Sequence, residues 1–86
     1  MKTIKKEILK NLCYTELVYT RINKKLKINL TKQQIREFIF KVIKEIDEKF
    51  ISKIGKNFYL INNGNNIRIT INSSTFRIIT IDRIKE

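Results

Sequence analysis

Residues 57–84 read NFYLINNGNNIRITINSSTFRIITIDRI, and most of this stretch alternates between apolar and polar side chains. A period of two is typical of strands that bury one face. Two clusters of turn-forming residues divide the stretch, AsnAsnGlyAsn at 62–65 and SerSerThr at 73–75. Asn and Gly tolerate the positive φ angles that tight hairpins require. We therefore predict three antiparallel strands over 57–61, 66–72 and 76–84.

The apolar residues of 1–50 recur at helical spacing instead. The third of three predicted helices is the clearest, because Thr31 and Gln34 have the spacing of a capping box. A wide apolar stripe follows over residues 35–46, in which Ile39 and Val42 should lie at the centre of the core. The first two helices carry one continuing stripe, interrupted near Tyr14: Ile4, Ile8, Leu9, Leu12, Leu17, Val18, Ile22 and Leu26.

Together these patterns predict a single α+β domain over residues 1–86. Its helical half covers 1–50, a connector covers 51–56, and the sheet covers 57–84. The predicted architecture is three N-terminal helices followed by a three-stranded antiparallel meander. A sheet this small needs helices packed against its apolar face to be stable.

The charge balance is strongly positive, with 19 Lys and Arg against 8 Asp and Glu and a net charge of +11. Such a field attracts polyanions. Codon usage in an AT-rich genome is an alternative source, since the chain holds 18 Ile, 14 Lys and 9 Asn. The same bias would also enrich glutamate, yet the chain has only 8 acidic residues. This imbalance favours a functional basic surface.

Little in the composition supports catalysis or cofactor binding. The chain has no His and a single Cys, so a disulfide within it and the common zinc and iron ligand sets are excluded. Two glycines cannot build a nucleotide-binding loop. The acidic residues near 45–48 have lysine neighbours and fit a solvated helix end. We therefore expect a non-enzymatic protein without a cofactor or metal, in which Cys13 is a core thiol on a helix.

The N-terminal residues MKTIKKEILKNL are basic but lack the continuous apolar segment and cleavage site of a signal peptide. No apolar run approaches the ~18 residues of a membrane span. We expect a cytoplasmic protein that does not enter a membrane.

The predicted sheet carries the candidate binding residues. Arg68, Thr70 and Asn72 project from one face of the second strand, and we expect Arg77 and Arg83 to lie level with them on the third. Guanidinium groups bind phosphate oxygens bidentately, so this set fits a phosphate-binding surface. The alternative is the ordinary polar face of a half-buried sheet. The register is also open, because residues 77–82 do not alternate cleanly.

An aromatic ring on the same surface would stack on RNA bases. Tyr59 is the main candidate and Phe76 a second, although both also fit a core position. A helix-turn-helix over 15–26 and the helix beginning at Lys32 is a further alternative. In that arrangement Lys32, Gln33 and Arg36 would enter the major groove of DNA.

The segments NLCYTELVYTRINKKL (11–26) and NIRITINSSTFRIITIDRI (66–84) resemble a small family of uncharacterised bacterial domains from AT-rich genomes and mobile elements. The resemblance covers nearly the whole chain and implies no established function. More loosely, helices followed by an Arg-rich and Thr-containing sheet are similar to ribonuclease toxins of the RelE and colicin type. That second resemblance implies RNA cleavage by residues on the sheet: Tyr59, Arg68, Thr70, Arg77 and Thr80.

We expect a basic binding module that docks on RNA or on an RNA–protein complex. A mobile-element setting is also shared by small inhibitors of bacterial defence complexes, such as anti-CRISPR proteins, which need only a binding surface. A protein with an anionic surface is the alternative partner, and an endoribonuclease toxin is the alternative function. The oligomeric state is left open by the sequence.

Overall fold

The computed structural model describes residues 3–84 and has an α+β architecture. Three helices precede a four-stranded antiparallel sheet of order β1-β2-β3-β4. The prediction of a three-stranded meander was therefore wrong by one strand. The elements are α1 (Ile4–Asn11), α2 (Glu16–Leu26), α3 (Lys32–Lys44), a 3-10 turn (Glu48–Phe50), β1 (Ile51–Ile54), β2 (Asn57–Asn62), β3 (Ile67–Asn72) and β4 (Ile78–Arg83).

The additional strand, β1, lies in the segment predicted as a connector. It pairs with β2 through a two-residue hairpin loop, Gly55 and Lys56, in which Ile54 faces Asn57. Gly55 has a φ of 61°, and glycine at the first loop position is the preference of a type II′ hairpin turn. None of the β1 residues is buried. A strand that buries no side chain need not alternate between apolar and polar residues, so the sequence pattern did not reveal β1.

Threonine side chains cap the N-termini of α1 and α3. Thr31 and Gln34 form the predicted capping box, with the Thr31 hydroxyl accepting from the Gln34 amide at 3.1 Å and Gln34 Oε1 accepting from the Thr31 amide at 2.9 Å. Thr3 caps α1 in the same way, accepting from the Lys6 amide at 3.1 Å. These contacts satisfy amides that have no partner within the helix.

The end of α3 is satisfied by side chains from elsewhere in the fold. The amide of Asn62, at the end of β2, donates to the Val42 carbonyl at 2.9 Å. Its oxygen accepts from the Asn65 amide at 2.9 Å, which also closes the β2–β3 turn. The Lys5 ammonium reaches the Lys44 carbonyl at 3.1 Å. One buried asparagine thus connects the helical layer to the sheet.

The core lies between the helices and one face of the sheet. α2 packs on β4 and α3 packs on β2. Ile39 and Val42 are 0% and 1% exposed, which confirms their predicted place. The strands contribute one face to the same core: Phe58, Leu60, Ile67, Ile69, Ile71, Ile78 and Ile81. We call the opposite side of the sheet, away from the helices, the open face.

Irregularities in β4 explain why residues 77–82 do not alternate in the sequence. Thr70 pairs with Thr80 whereas Ile71 pairs with Ile78, so Ile79 is an extra residue in a β-bulge. Both predicted turns are present, and positive φ values of 55° and 59° occur at Asn66 and Phe76. In the turn before β4, Asn72 Oδ1 accepts from the amides of Ser74 and Thr75 at 2.8 and 2.9 Å.

Cys13 was predicted to be a buried helical thiol, and this prediction was wrong. It follows the end of α1, is exposed, and forms an isolated parallel bridge with Arg77 beside the start of β4. Its backbone accepts from Ile78 at 3.0 Å and donates to Phe76 at 2.9 Å. A backbone that pairs with the sheet edge is extended and cannot be helical, so α1 ends before Cys13.

Within residues 3–84, no helix has the length and apolar character needed to cross a membrane. Over the same residues, no three Cys, Asp or Glu side chains converge as the ligands of a metal ion would.

Candidate nucleic-acid interface

The structure brings three of the six predicted binding residues together on the open face. In the register of the sheet, Tyr59 pairs with Thr70, and Arg68 lies between Ile61 and Asp82. Arg68 is exposed and Tyr59 is half-buried, whereas Thr70 is only 6% exposed. Arg68 and Tyr59 are therefore available to a ligand, whereas Thr70 is buried beside Tyr59.

Asn72 belongs to the same strand, but its side chain forms hydrogen bonds within the turn that follows. Its side-chain oxygen is engaged by the amides of Ser74 and Thr75, as an Asx turn requires. It accordingly shapes the β3–β4 connection.

Arg83 is not level with Arg68, because the bulge at Ile79 turns it to the other face of the sheet. Arg77 precedes the bulge, and its carbonyl accepts from the Asn72 amide at 2.9 Å, four residues along β3 from Arg68. Arg83 pairs with Ile67 on the helical side. Its guanidinium donates to the Leu26 carbonyl at 3.0 Å, at the end of α2. Arg77 precedes β4 and lies beside the N-terminal part of α2.

Asp82 connects the open face to α2. It accepts from the Lys25 ammonium at 2.9 Å, and its other oxygen lies 3.9 Å from the Arg68 guanidinium. Lys25 and Arg68 are each about half exposed, with side-chain exposures of 50% and 51%. Exposed pairs of this kind contribute little to stability, so both cations can also bind an anion from solution.

A second basic surface, which the sequence did not predict, runs along α2 and the start of β4. We call it the α2 ridge and define it by its cations Arg21, Lys24, Lys25 and Arg77. Two adjoining cavities follow it, of about 570 and 320 Å³, and Arg21 and Leu17 line both. Arg21 also donates to the Ile79 carbonyl at 3.3 Å. Among the described residues, the ion pairs include neither Arg21, Lys24 nor Arg77.

Leu17 was placed in the core stripe by its spacing, and the structure corrects this. Its exposure of 78% places it on the ridge, where it separates the cations. The helical period does predict that Leu17 lies outside the core. Positions 17, 20, 21 and 24 form one face of α2, opposite the buried Val18, Ile22 and Leu26. The contribution of Arg77 depends on the packing of α2 against β4 and is not visible in the sequence.

The helix-turn-helix residues at the start of α3 have partners within the protein. Lys32 pairs with Glu16. Arg36 donates to the Tyr19 hydroxyl at 2.8 Å, and its guanidinium lies 6.0 Å from the centre of that ring.

Tyr14 stacks on Tyr19 beside this cluster, with ring centroids 5.6 Å apart. Burial, and then the neighbouring Tyr19 hydroxyl, raise the pKa of Tyr14 to about 12, although Arg36 opposes the shift. The Tyr14 phenol therefore stays protonated at neutral pH.

These observations define a small basic α+β domain with one sheet face uncovered and a cationic helix at the sheet edge. The chain belongs to the family described as protein of unknown function (DUF3781), which matches residues 6–82. No curated protein and no solved structure shows a significant match to this chain.

Proposed function

We propose that this protein is a non-enzymatic RNA-binding module that uses the α2 ridge to hold the phosphate backbone. The observation that carries the proposal is the concentration of Arg21, Lys24 and Arg77 around two adjoining cavities, where none of the three forms an ion pair with another described residue. A net charge of +11 adds a long-range attraction for polyanions. Lysine and arginine contacts to phosphates account for most non-specific affinity for nucleic acids.

The ridge supports this function better than the start of α3 does. Lys32 and Arg36 are engaged by Glu16 and Tyr19. Three of the four ridge cations, Arg21, Lys24 and Arg77, line the two cavities and form no ion pair within residues 3–84. A small inhibitor that docks on an RNA–protein complex is one form that this function could take. A binding surface alone is sufficient for that role.

The test is RNA affinity measured on a variant that neutralises the ridge, Arg21→Gln/Lys24→Gln/Arg77→Gln. For each phosphate contact on a single strand, the logarithm of the binding constant falls by about 0.7 when the salt concentration rises tenfold. Three lost contacts at about 0.1 M salt therefore correspond to a loss of roughly 100-fold. Fluorescence anisotropy with a labelled oligoribonucleotide measures this change.

The matched control is Lys6→Gln/Lys10→Gln/Lys41→Gln, which removes the same charge from exposed positions on α1 and α3. We expect only a small loss for this control. Equal losses in the two variants would show that net charge, and not the ridge, determines binding. Undetectable binding of the unmodified protein to RNA at low salt would refute the proposal and direct attention to an anionic protein partner.

A ribonuclease of the RelE and colicin type is the second candidate, favoured by the neighbouring positions of Tyr59, Thr70 and Arg68 on the open face. In that case Arg68 would stabilise the developing phosphate charge and Tyr59 would move a proton. Gel analysis of the RNA recovered from the binding experiment separates the two. Intact RNA supports the binding module, and fragments that disappear with Arg68→Gln support the ribonuclease.

A further inference from the structure

The open face contains a cavity that the α2 ridge does not include. Its volume is about 330 Å³, and it is lined by Ser52, Ile54, Tyr59, Ile61 and Arg68. We call it the Tyr59 cavity. Ile54 is 65% exposed, although it is a large apolar residue.

The lining suits a flat, partly polar ring. An aromatic side chain and two aliphatic ones offer stacking and apolar contact, while the Ser52 hydroxyl and the Arg68 guanidinium offer hydrogen bonds to ring edges. A nucleobase has this combination of an apolar face and polar edges. Bases in a duplex are stacked against their neighbours and cannot enter a cavity of this kind, whereas unpaired bases can be splayed out onto aromatic side chains.

One row of the sheet leads from the Tyr59 cavity to the α2 ridge. Asp82 binds Lys25 of the ridge and lies beside Arg68, and Ile61 is the next residue in that row. Neighbouring strands are about 4.8 Å apart, so the row from Asp82 to Ile61 covers roughly 10 Å. A single strand held on the ridge crosses this distance within a few nucleotides.

The charge of this path suits a phosphate backbone. Lys25 and Arg68 flank a single carboxylate, which leaves a net positive charge where the ridge meets the open face. A base in the Tyr59 cavity would place its phosphate near Arg68, where a guanidinium can bind it.

We propose that the Tyr59 cavity binds an unpaired base of single-stranded RNA whose backbone lies on the α2 ridge. This inference rests on the proposed function and gives it a specificity, for single strands over duplexes. The ridge would hold both forms through phosphates, and only a single strand would gain the contact with Tyr59.

The experiment compares Tyr59→Leu and Tyr59→Phe with the unmodified protein, using one RNA sequence as a single strand and as a duplex. Base–aromatic stacking corresponds to a loss of roughly 5- to 150-fold when the ring is removed. We expect Tyr59→Leu to lose affinity in this range for the single strand and to keep its duplex affinity. Tyr59→Phe retains the ring and should stay close to the unmodified protein.

Equal affinity of the unmodified protein for both RNA forms, or an equal effect of Tyr59→Leu on both, would overturn the inference. So would unchanged RNA binding combined with loss of self-association in Tyr59→Leu, because a second copy of the chain would then cover the face. These outcomes differ from failure of the ridge proposal, in which the Arg21→Gln/Lys24→Gln/Arg77→Gln variant binds RNA like the unmodified protein.

Discussion

Replacement of Asn62 by alanine tests the connection between the helical layer and the sheet. Asn62 is 6% exposed and makes two hydrogen bonds of 2.9 Å, one to the Val42 carbonyl and one from the Asn65 amide. Within residues 3–84 no backbone amide beyond α3 donates to the Val42 carbonyl, since the amide of Ile46 donates to Ile43 instead. The substitution therefore leaves polar backbone groups without a partner in a largely buried environment.

The expected cost follows from these contacts. A typical hydrogen bond contributes about 0.5–1.5 kcal/mol, and an unsatisfied buried group costs about 1–3 kcal/mol. The bond to the Val42 carbonyl is buried and the bond from the Asn65 amide is partly buried, so we expect a total loss of about 2–4 kcal/mol. A domain of this size changes its melting temperature by roughly 4–8 °C per kcal/mol.

Urea denaturation monitored by circular dichroism measures this loss as a lower midpoint with an unchanged m-value. Asn63→Ala is the matched control, because Asn63 is the exposed neighbour in the same turn. It should stay within about 0.5 kcal/mol of the unmodified protein. If Asn62→Ala behaves like Asn63→Ala, the asparagine does not join the two layers and the reasoning is refuted.

Two further predictions concern the core and the tyrosine cluster. Ile39→Ala should lower the free energy of unfolding by about 2–5 kcal/mol, because the residue is fully buried in the core, and a loss below about 1 kcal/mol in urea denaturation would contradict its central place. Burial raises the pKa of Tyr14 to about 12 from 10.0. Folding therefore favours the protonated phenol, and this contribution to stability is complete below pH 10.0 and is lost as the pH rises toward about 12. Ultraviolet titration should show a tyrosine that ionises near pH 12, and Tyr14→Phe should remove that step.

The parts of the fold that the sequence predicts are those specified by neighbouring residues. The capping box of α3 and the turns at 62–65 and 73–75 are local features, and the structure confirms them. The buried stripe through Ile39 and Val42 follows from helical period alone. In each case one short segment carries both the signal and its physical cause.

The remaining parts depend on contacts between distant segments. β1 buries no side chain, so its pairing with β2 leaves no periodic pattern. The bulge at Ile79 reverses which β4 residues face outward beyond it, and it therefore separates Arg83 from Arg68. The α2 ridge forms only when α2 packs beside β4. The candidate site was thus predictable in its chemistry, and its location required the tertiary structure.

The salt dependence of RNA binding tests the central proposal most directly. A plot of the logarithm of the binding constant against that of the salt concentration has a slope of about −0.7 per phosphate contact on a single strand. The four cations of the α2 ridge correspond to a slope of roughly −3. Arg21→Gln/Lys24→Gln/Arg77→Gln should make the slope shallower by about 2, since three contacts are removed. The control Lys6→Gln/Lys10→Gln/Lys41→Gln should keep the original slope, whereas a ridge variant with an unchanged slope would contradict phosphate binding by this surface.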